Sequence, residues 1–286
     1  MMPTKERNLA GILINYKNEN ILVDCGEGTQ RQMKLARISP AKTTKILITH
    51  LHGDHIFGLP GLLQTIASSN YNKELEIFGP KGTKKYLNFI IKNYINENKL
   101  PIKIKEISSG TFYKNKNFLL KAKKLKHRIP CLGYSLIEND KRKINLKYTK
   151  KFGLTKHPLL GKLQKGKNIV FKGKKITAKK GTIIKRGKKI TIILDTKYVK
   201  NTIDLAKNSD VLICEATFLS NLKEKAKQTK HLTSKEAATI AKKSKVKKLY
   251  LTHFSQRYKS LNEIEKEAKE IFKNTFLTKD LQTISL

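Results

Sequence analysis

Four apolar segments of this chain end in the same way. KILIT runs into His50, FLLKAKKL leads to His127, ITIIL stops at Asp195 and KKLYLT stops at His253. Short runs rich in Ile, Leu and Thr read as strands. A strand that breaks off on an imidazole or a carboxylate delivers that group to one edge of a sheet. In α/β folds ligands gather outside the carboxyl ends of strands, so the four endings can converge on one site. That requirement constrains the fold more than any single motif does.

The surrounding pattern agrees with it. Strands are expected at Ile21–Cys25, Lys45–Thr49, Leu75–Phe78, Phe118–Leu125, Leu132–Glu138, Ile190–Leu194, Val211–Cys214 and Lys248–Thr252. Between them, Thr83–Glu97 carries Leu87, Ile90, Ile91 and Ile95 at helical spacing. Thr233 and Glu236 supply a capping box for a second helix, and Ser260 with Glu263 repeats the arrangement ahead of an alternating-charge third. The alternation predicts an α/β fold. At 286 residues the whole chain, 1–286, is expected to be one large domain.

The segment ITHLHGDHIFGLPGLL concentrates the chemistry. His50 and His52 are two apart, so in an extended stretch they face the same way and can grip one ion. Asp54 and His55 follow Gly53, whose freedom in φ is expected to turn the chain and present them to a second ion. Imidazoles and carboxylates without thiolates suit zinc or another first-row divalent metal. With His127, Asp195 and His253 there are seven candidate ligands, so two ions need a bridging group, and Asp195 is the natural one. Paired metals clamp the attacking and leaving oxygens of a displacement at phosphorus and generate hydroxide from water near neutral pH. Hydrolysis is therefore expected. Glu215, in the apolar stretch LICEATF, needs a partner if it is buried. His231 in KHLTS could provide it, and an imidazole oriented by a carboxylate makes a good general acid.

Charge separates the substrate classes. The chain has 61 Lys and Arg against 22 Asp and Glu, a net +39, and Lys141–Leu194 contains no acid at all. Lys141–Lys175 alone holds thirteen basic residues. A basic face without acidic relief is the footprint of a polyanion, with nucleic acid ahead of a membrane because the region lacks an amphipathic helical pattern. Residues 141–180 are expected to form an inserted basic arm, with Lys156, Lys162, Lys165 and Lys167 among its contacts. The three cysteines are scattered through apolar runs without a CxxC pair, so neither a disulfide framework nor a thiolate zinc site is expected, and a cytoplasmic setting is. No run approaches the ~20 apolar residues of a membrane span, and MMPTKERN has no apolar leader core.

With these residues in view, the chain resembles ribonuclease Z, the transfer-RNA 3′-processing endonuclease of the metallo-β-lactamase superfamily. The likeness lies in HLHGDHIFGLPGLL, with a Gly-Leu-Pro-Gly tail that no metal requires, and in PTKERN (3–8), VDCGEGTQRQM (23–33) and LTHFSQRY (251–258). The resemblance implies a metallo-β-lactamase fold, a four-layer αββα sandwich with an inserted basic arm. It also implies two Zn²⁺ per subunit, one on His50, His52, His127 and Asp195, the other on Asp54, His55, Asp195 and His253. Asp54 would accept the proton of the attacking water, and His231 with Glu215 would assist the leaving group. The loop holding Lys5, Arg7 and Asn8 would contact the end of the tRNA. The implied function is zinc-dependent removal of the 3′ trailer from precursor tRNA by a homodimer, leaving a tRNA 3′-hydroxyl.

Three departures accompany the resemblance. The family's opening strand and Gly-Thr-Gly turn do not precede Pro3, so either an upstream start is missed or that first strand is absent, which would leave a sheet edge exposed. Lys197 follows Asp195-Thr196 where the family usually has Arg, and the arm is poorer in Gly and Pro. The rival readings are a phosphodiesterase of the same superfamily acting on small molecules or other nucleic acids, and a non-catalytic RNA-binding protein.

Overall fold

Ile12–Tyr16 (β1) and Glu19–Val23 (β2) form an antiparallel hairpin, and the chain then adds Lys45–Leu47 (β3), Leu75–Gly79 (β4) and Ile102–Glu106 (β5) in parallel. This first sheet has the order β1-β2-β3-β4-β5. Between its strands run Thr29–Leu35 (α1), Gly53–Ile56 (α2), Leu59–Ala67 (α3) and Thr83–Tyr94 (α4). The computed structural model describes residues 1–69, 71, 73–95 and 100–286. The expected helix Thr83–Glu97 ends at Tyr94 because Ile95 is already extended; residues 96 and 97 lie outside the described residues.

Gly110–Lys114 (β6), Phe118–Lys126 (β7) and Pro130–Glu138 (β8) open a second sheet, which Lys189–Ile193 (β13), Val211–Glu215 (β14), Lys248–Thr252 (β15) and Thr275–Leu277 (β16) complete. Its order is β16-β15-β14-β13-β8-β7-β6, with β13 to β16 parallel. The intervening helices are Lys200–Ala206 (α8), Lys223–Thr229 (α9), Ser234–Lys243 (α10) and Asn262–Ile271 (α11).

Side-chain alternation decides the layering. On β2 to β4, Leu22, Ile46, Leu75 and Ile77 face one way and meet Leu59, Leu62, Leu63 and Ile66 of α3 and Leu87 and Ile90 of α4. Phe78 meets Phe112 of β6 with ring centroids 5.0 Å apart, Phe112 meets Tyr134 of β8 at 5.8 Å, and the Tyr134 hydroxyl donates to Ile48 O at 2.6 Å. The two sheets therefore pack face to face. The far side of the second sheet, with Ile193, Leu212, Cys214, Leu249 and Leu251, is covered by α8, α10 and α11. On α10 the small Ala237, Ala238 and Ala241 admit the helix close to the strands. The result is helix, sheet, sheet, helix.

The capping box at Thr233 is present: its hydroxyl accepts from Glu236 N, and the Glu236 carboxylate accepts from Thr233 N at 2.9 Å. Thr233→Ala is expected to destabilise the fold by about 1 kcal/mol, measurable as a lower urea midpoint at unchanged slope. The second expected box does not form. Helix α11 starts at Asn262 with Leu261 as N-cap, and Ser260 Oγ instead accepts from Asn262 N at 3.3 Å. A serine one position further from the helix closes a local turn rather than reaching the third amide.

The chain divides into two compact units. The sandwich is Met1–Tyr113, Leu120–Leu136 and Lys189–Leu286; Lys114–Leu119 and Ile137–Lys188 form the other. This second unit extends beyond the predicted arm of 141–180. It contains Lys141–Ile144 (β9) paired with Thr182–Lys185 (β12), and Ile169–Phe171 (β10) paired with Lys174–Ile176 (β11). Short helices Leu146–Thr149 (α5), Leu159–Gln164 (α6) and Ala178–Gly181 (α7) close over Leu154, Leu163, Ile169 and Ile176, a core of its own that weak sequence periodicity did not announce. Among the described residues no helix is long and apolar enough to cross a membrane.

Candidate metal centre

The strand endings meet. His50 lies just beyond β3, His127 one residue past β7, Asp195 two past β13 and His253 one past β15. Asp195 and His253 have positive φ, 46° and 59°, a conformation uncommon outside glycine that turns the chain sharply as each strand ends. Asp24, directly after β2, does the same at 58°. Strained backbone of this kind collects at functional sites.

Two four-residue groups result. His50, His52, His127 and Asp195 each offer a ligand atom within 4.8 Å of the others, and so do Asp54, His55, Asp195 and His253. In the first, His50 Nε2 lies 3.0 Å and His127 Nε2 3.2 Å from His52 Nδ1, with Asp195 Oδ2 3.5 Å from His50 Nε2. In the second, His55 Nε2 and His253 Nε2 both lie 3.4 Å from Asp54 Oδ2, and His253 Nε2 is 3.2 Å from Asp195 Oδ1. Asp195 is shared. Two buried polar atoms of this cluster, His55 Nε2 and Asp195 Oδ1, find no hydrogen-bond partner in the protein. Orphaned buried lone pairs are costly unless a cation meets them, so the residues fit a metal.

A second layer sets the imidazole tautomers. His55 Nδ1–H donates to Asp24 Oδ2 at 2.7 Å. Thr49 Oγ1 donates to the same carboxylate at 2.7 Å and accepts from His50 Nδ1–H at 3.0 Å. His127 Nδ1–H donates to Lys230 O at 3.0 Å, and His253 Nδ1–H to Thr217 Oγ1 at 3.0 Å. Each of these rings thus turns a bare Nε2 inward. Asp24 had the same sequence signal as the four endings, a polar residue straight after an apolar strand, yet it was not singled out. Thr49 and Thr217 carry no such signal.

Electrostatics follow burial and neighbours. Burial, aided by nearby His55, pushes His50 down to about 2, and burial also lowers His52 and His127, so these three are neutral donors at pH 7. Burial opposes a charge on His55, but the Asp195 and Asp24 carboxylates override it and raise the ring, stabilising positive charge at Nε2 that a bound metal would supply in place of the proton. Burial alone would raise Asp195 and Asp54. His253 and His55 instead keep both well below the ordinary carboxylate range. Burial likewise opposes charging His231, and Glu215 outweighs it, raising the ring to about 9. Glu215 is fully buried, accepting from Thr196 N at 2.6 Å, Thr217 Oγ1 at 2.6 Å and His231 Nδ1 at 3.0 Å. A pocket of about 160 Å³ opens on the cluster, walled by His52, Asp54, His127, Asp195 and His231 together with Met1, Arg128 and Thr229.

The glycines around the loop act by close approach. A Cβ on Gly58 would lie 2.1 Å from Gly26 O, where Gly58 N donates to Cys25 O at 2.9 Å and seats the metal loop against the turn after β2. The tail that no metal requires is thus needed for packing. Gly53, expected to use unusual φ, does not: it has no positive φ, and a Cβ there would strike the Phe57 ring at 2.4 Å.

Known proteins share this architecture. A profile of the metallo-beta-lactamase superfamily matches residues 10–105. The chain is similar to human tRNase Z, short form, with a TM-score of 0.73 and 29% identity, covering 100% of this chain and 95% of that one. It is 41% identical to a ribonuclease Z of Nanoarchaeum equitans over 92% of this chain and 83% of that protein. It is 38% identical to the ribonuclease Z of Enterococcus faecalis over 100% of this chain and 94% of that protein. The chain belongs to the ribonuclease Z family. The sandwich is accordingly a metallo-β-lactamase fold.

Other residues expected at the ribonuclease Z site are placed as follows. Arg7 Nη2 donates to Tyr258 O at 2.9 Å, fastening the N-terminal loop to the segment after His253. Asn8 donates from N and Nδ2 to Asp280 Oδ2 at 2.8 and 2.6 Å. Both side chains are thus engaged within the protein, while Lys5 is exposed. Lys156, Lys162, Lys165 and Lys167 belong to the second unit and are exposed. The three cysteines are free and buried, and burial raises their thiols, Cys25 to about 12.

Proposed function

We propose that this chain is a zinc-dependent endoribonuclease that removes the 3′ trailer from precursor tRNA and leaves a 3′-hydroxyl on the tRNA. The observation that carries the reading is the pair of ligand groups sharing Asp195, on a chain that matches ribonuclease Z proteins along nearly its whole length. His50, His52, His127 and Asp195 would hold one ion, and Asp54, His55, Asp195 and His253 the other. Bound there, two zinc ions would lower the pKa of water toward ~7 and neutralise charge on the phosphoryl oxygens.

The side chains then divide the proton work. Asp54 borders the pocket and takes the proton of the water that attacks phosphorus. The bond from phosphorus to the ribose 3′ oxygen breaks, and the phosphate stays on the trailer. His231, kept protonated at neutral pH by Glu215, donates to the departing 3′ oxygen. Glu215 is itself fixed by Thr196 N and Thr217 Oγ1, so the imidazole is aimed rather than free to swing.

The basic segment 141–180 serves as the RNA-binding arm of the one enzyme domain; its thirteen cations without an acid between Lys141 and Lys175 support that role. The family resemblance supports a homodimer, and the free thiols support a cytoplasmic setting. End-labelled precursor tRNA should be cut once, with loss of activity in chelator and recovery on adding zinc. RNA affinity should fall with salt by about 0.9 log units per log unit for each neutralised duplex phosphate, and the variant with Lys156, Lys162, Lys165 and Lys167 all changed to Ala should show a shallower slope. Uncut precursor in the presence of zinc would sink the assignment, and an unaltered slope would sink the arm's part in it.

A further inference from the structure

Three residues of the pocket lining, Met1, Arg128 and Thr229, take no part in the ligand groups or in the proton transfers. Arg128 follows His127 and lies in the pocket lining with Thr229 and His231. Among the described residues it is the only Lys or Arg in that lining. It is exposed, but the residue before it is held by two hydrogen bonds. His127 Nδ1–H donates to Lys230 O at 3.0 Å, and Lys230 Nζ donates back to His127 O at 3.2 Å. This reciprocal pair ties the turn bearing Arg128 to the loop bearing His231. Thr229, the neighbouring polar group, is already occupied: its hydroxyl donates to Lys225 O at 2.8 Å. The Met1 ammonium in the lining is paired with Asp54 and His231 is assigned to the departing oxygen, which leaves the Arg128 guanidinium as a further cationic donor there.

Charge gives it a task. Asp54 and Asp195 also line the pocket, so an anionic diester meets carboxylates there. Neutralisation by the ligand groups reaches only the phosphate oxygens turned toward them and leaves the others open to a cationic donor in the lining. A guanidinium is permanently charged and presents its N–H groups in a planar fork that matches two phosphate oxygens. We propose that Arg128 is a substrate-binding residue that grips the non-bridging oxygens of the phosphodiester occupying this pocket, on the side of the departing oxygen. The proposal rests on the reading of the chain as a phosphodiester hydrolase.

The test compares Arg128→Ala and Arg128→Lys with the unaltered protein, each loaded with zinc, on precursor tRNA and on bis(4-nitrophenyl) phosphate, which has one phosphodiester and no neighbouring phosphates. Arg128→Ala should lower kcat/KM on both substrates by roughly 10- to 100-fold, the scale of a charge-assisted hydrogen bond. Arg128→Lys should recover part of the loss, since charge returns without the fork. Zinc content and melting temperature should be unchanged in both. If the small diester is hydrolysed equally well by Arg128→Ala, or if the variant loses zinc, the inference is overturned. It is overturned too if the unaltered protein cuts precursor tRNA but is inert toward the small diester, because the pocket then does not accept an isolated phosphodiester. Failure of the unaltered protein on both substrates would instead sink the proposed function itself.

Discussion

Asp195→Asn is expected to lose zinc and slow precursor cleavage by roughly 10⁴-fold, about 5.5 kcal/mol of barrier. Asp195 is the one residue common to both ligand groups, and it is 2% exposed. Its Oδ1 has no hydrogen-bond partner within the protein, while Oδ2 lies 3.5 Å from both His50 Nε2 and His55 Nε2. An amide keeps the shape but brings no negative charge and puts an NH₂ where a lone pair is needed. Asn is chosen over Ala because the backbone φ of 46° is one that Asn tolerates, so the turn after β13 survives. Elemental analysis and single-turnover cleavage read the result. Retention of both ions with a rate within tenfold of the unaltered protein would contradict the shared role of Asp195.

Asp54→Ala should reduce turnover by about 10³-fold, within the range for loss of a positioned general base, while RNA binding changes less than about twofold. The side chain borders the pocket and contacts His55 Nε2 and His253 Nε2 at 3.4 Å, so it faces both the second ligand group and the space for substrate. The neighbouring His55 and His253 hold it ionised throughout the working pH range, as a proton acceptor must be. The phosphate contacts that dominate RNA affinity lie with the lysines and are untouched by the change. Filter binding at fixed salt and end-labelled cleavage separate the two effects. A tenfold or smaller drop in turnover, or a parallel collapse of binding, would remove Asp54 from the proton transfer.

Much of the sandwich was legible because local rules govern its central strands. KILIT, ITIIL and KKLYLT are buried runs that have little alternative to a strand, and the observed β3, β13 and β15 lie within them or one residue beyond. Among the strands overlooked, β5 reads IKIKE, half-buried with exposed Lys103, β16 spans three residues, and β1 reads ILINY at the edge of its sheet. Such segments become strands only because a neighbouring strand supplies hydrogen-bond partners, which is information a local pattern lacks. Ser260 and Glu263 show the opposite failure. The box motif was present, but the helix began too far along to use it.

By itself the sequence determined which groups the chain offers: imidazoles and carboxylates at strand ends, His50, His127 and His253 among them, the His52–His55 loop, and a basic segment without acids. Tertiary structure alone decided how they meet. Residues as distant as Asp54 and His253 approach to 3.4 Å only because parallel strands end at one rim of facing sheets. Their ring orientation depends on Asp24, which was passed over although it follows a strand, and on Thr49 and Thr217, which no sequence rule selects. Arg7 and Asn8 were expected in a loop that contacts the tRNA, and only the folded chain shows that both also bind its own loops. Arg128 had no motif to mark it, and it enters the pocket lining only because β7 and the loop before α10 come together. Chemistry is written in residue types, whereas distance and direction are properties of the packed chain.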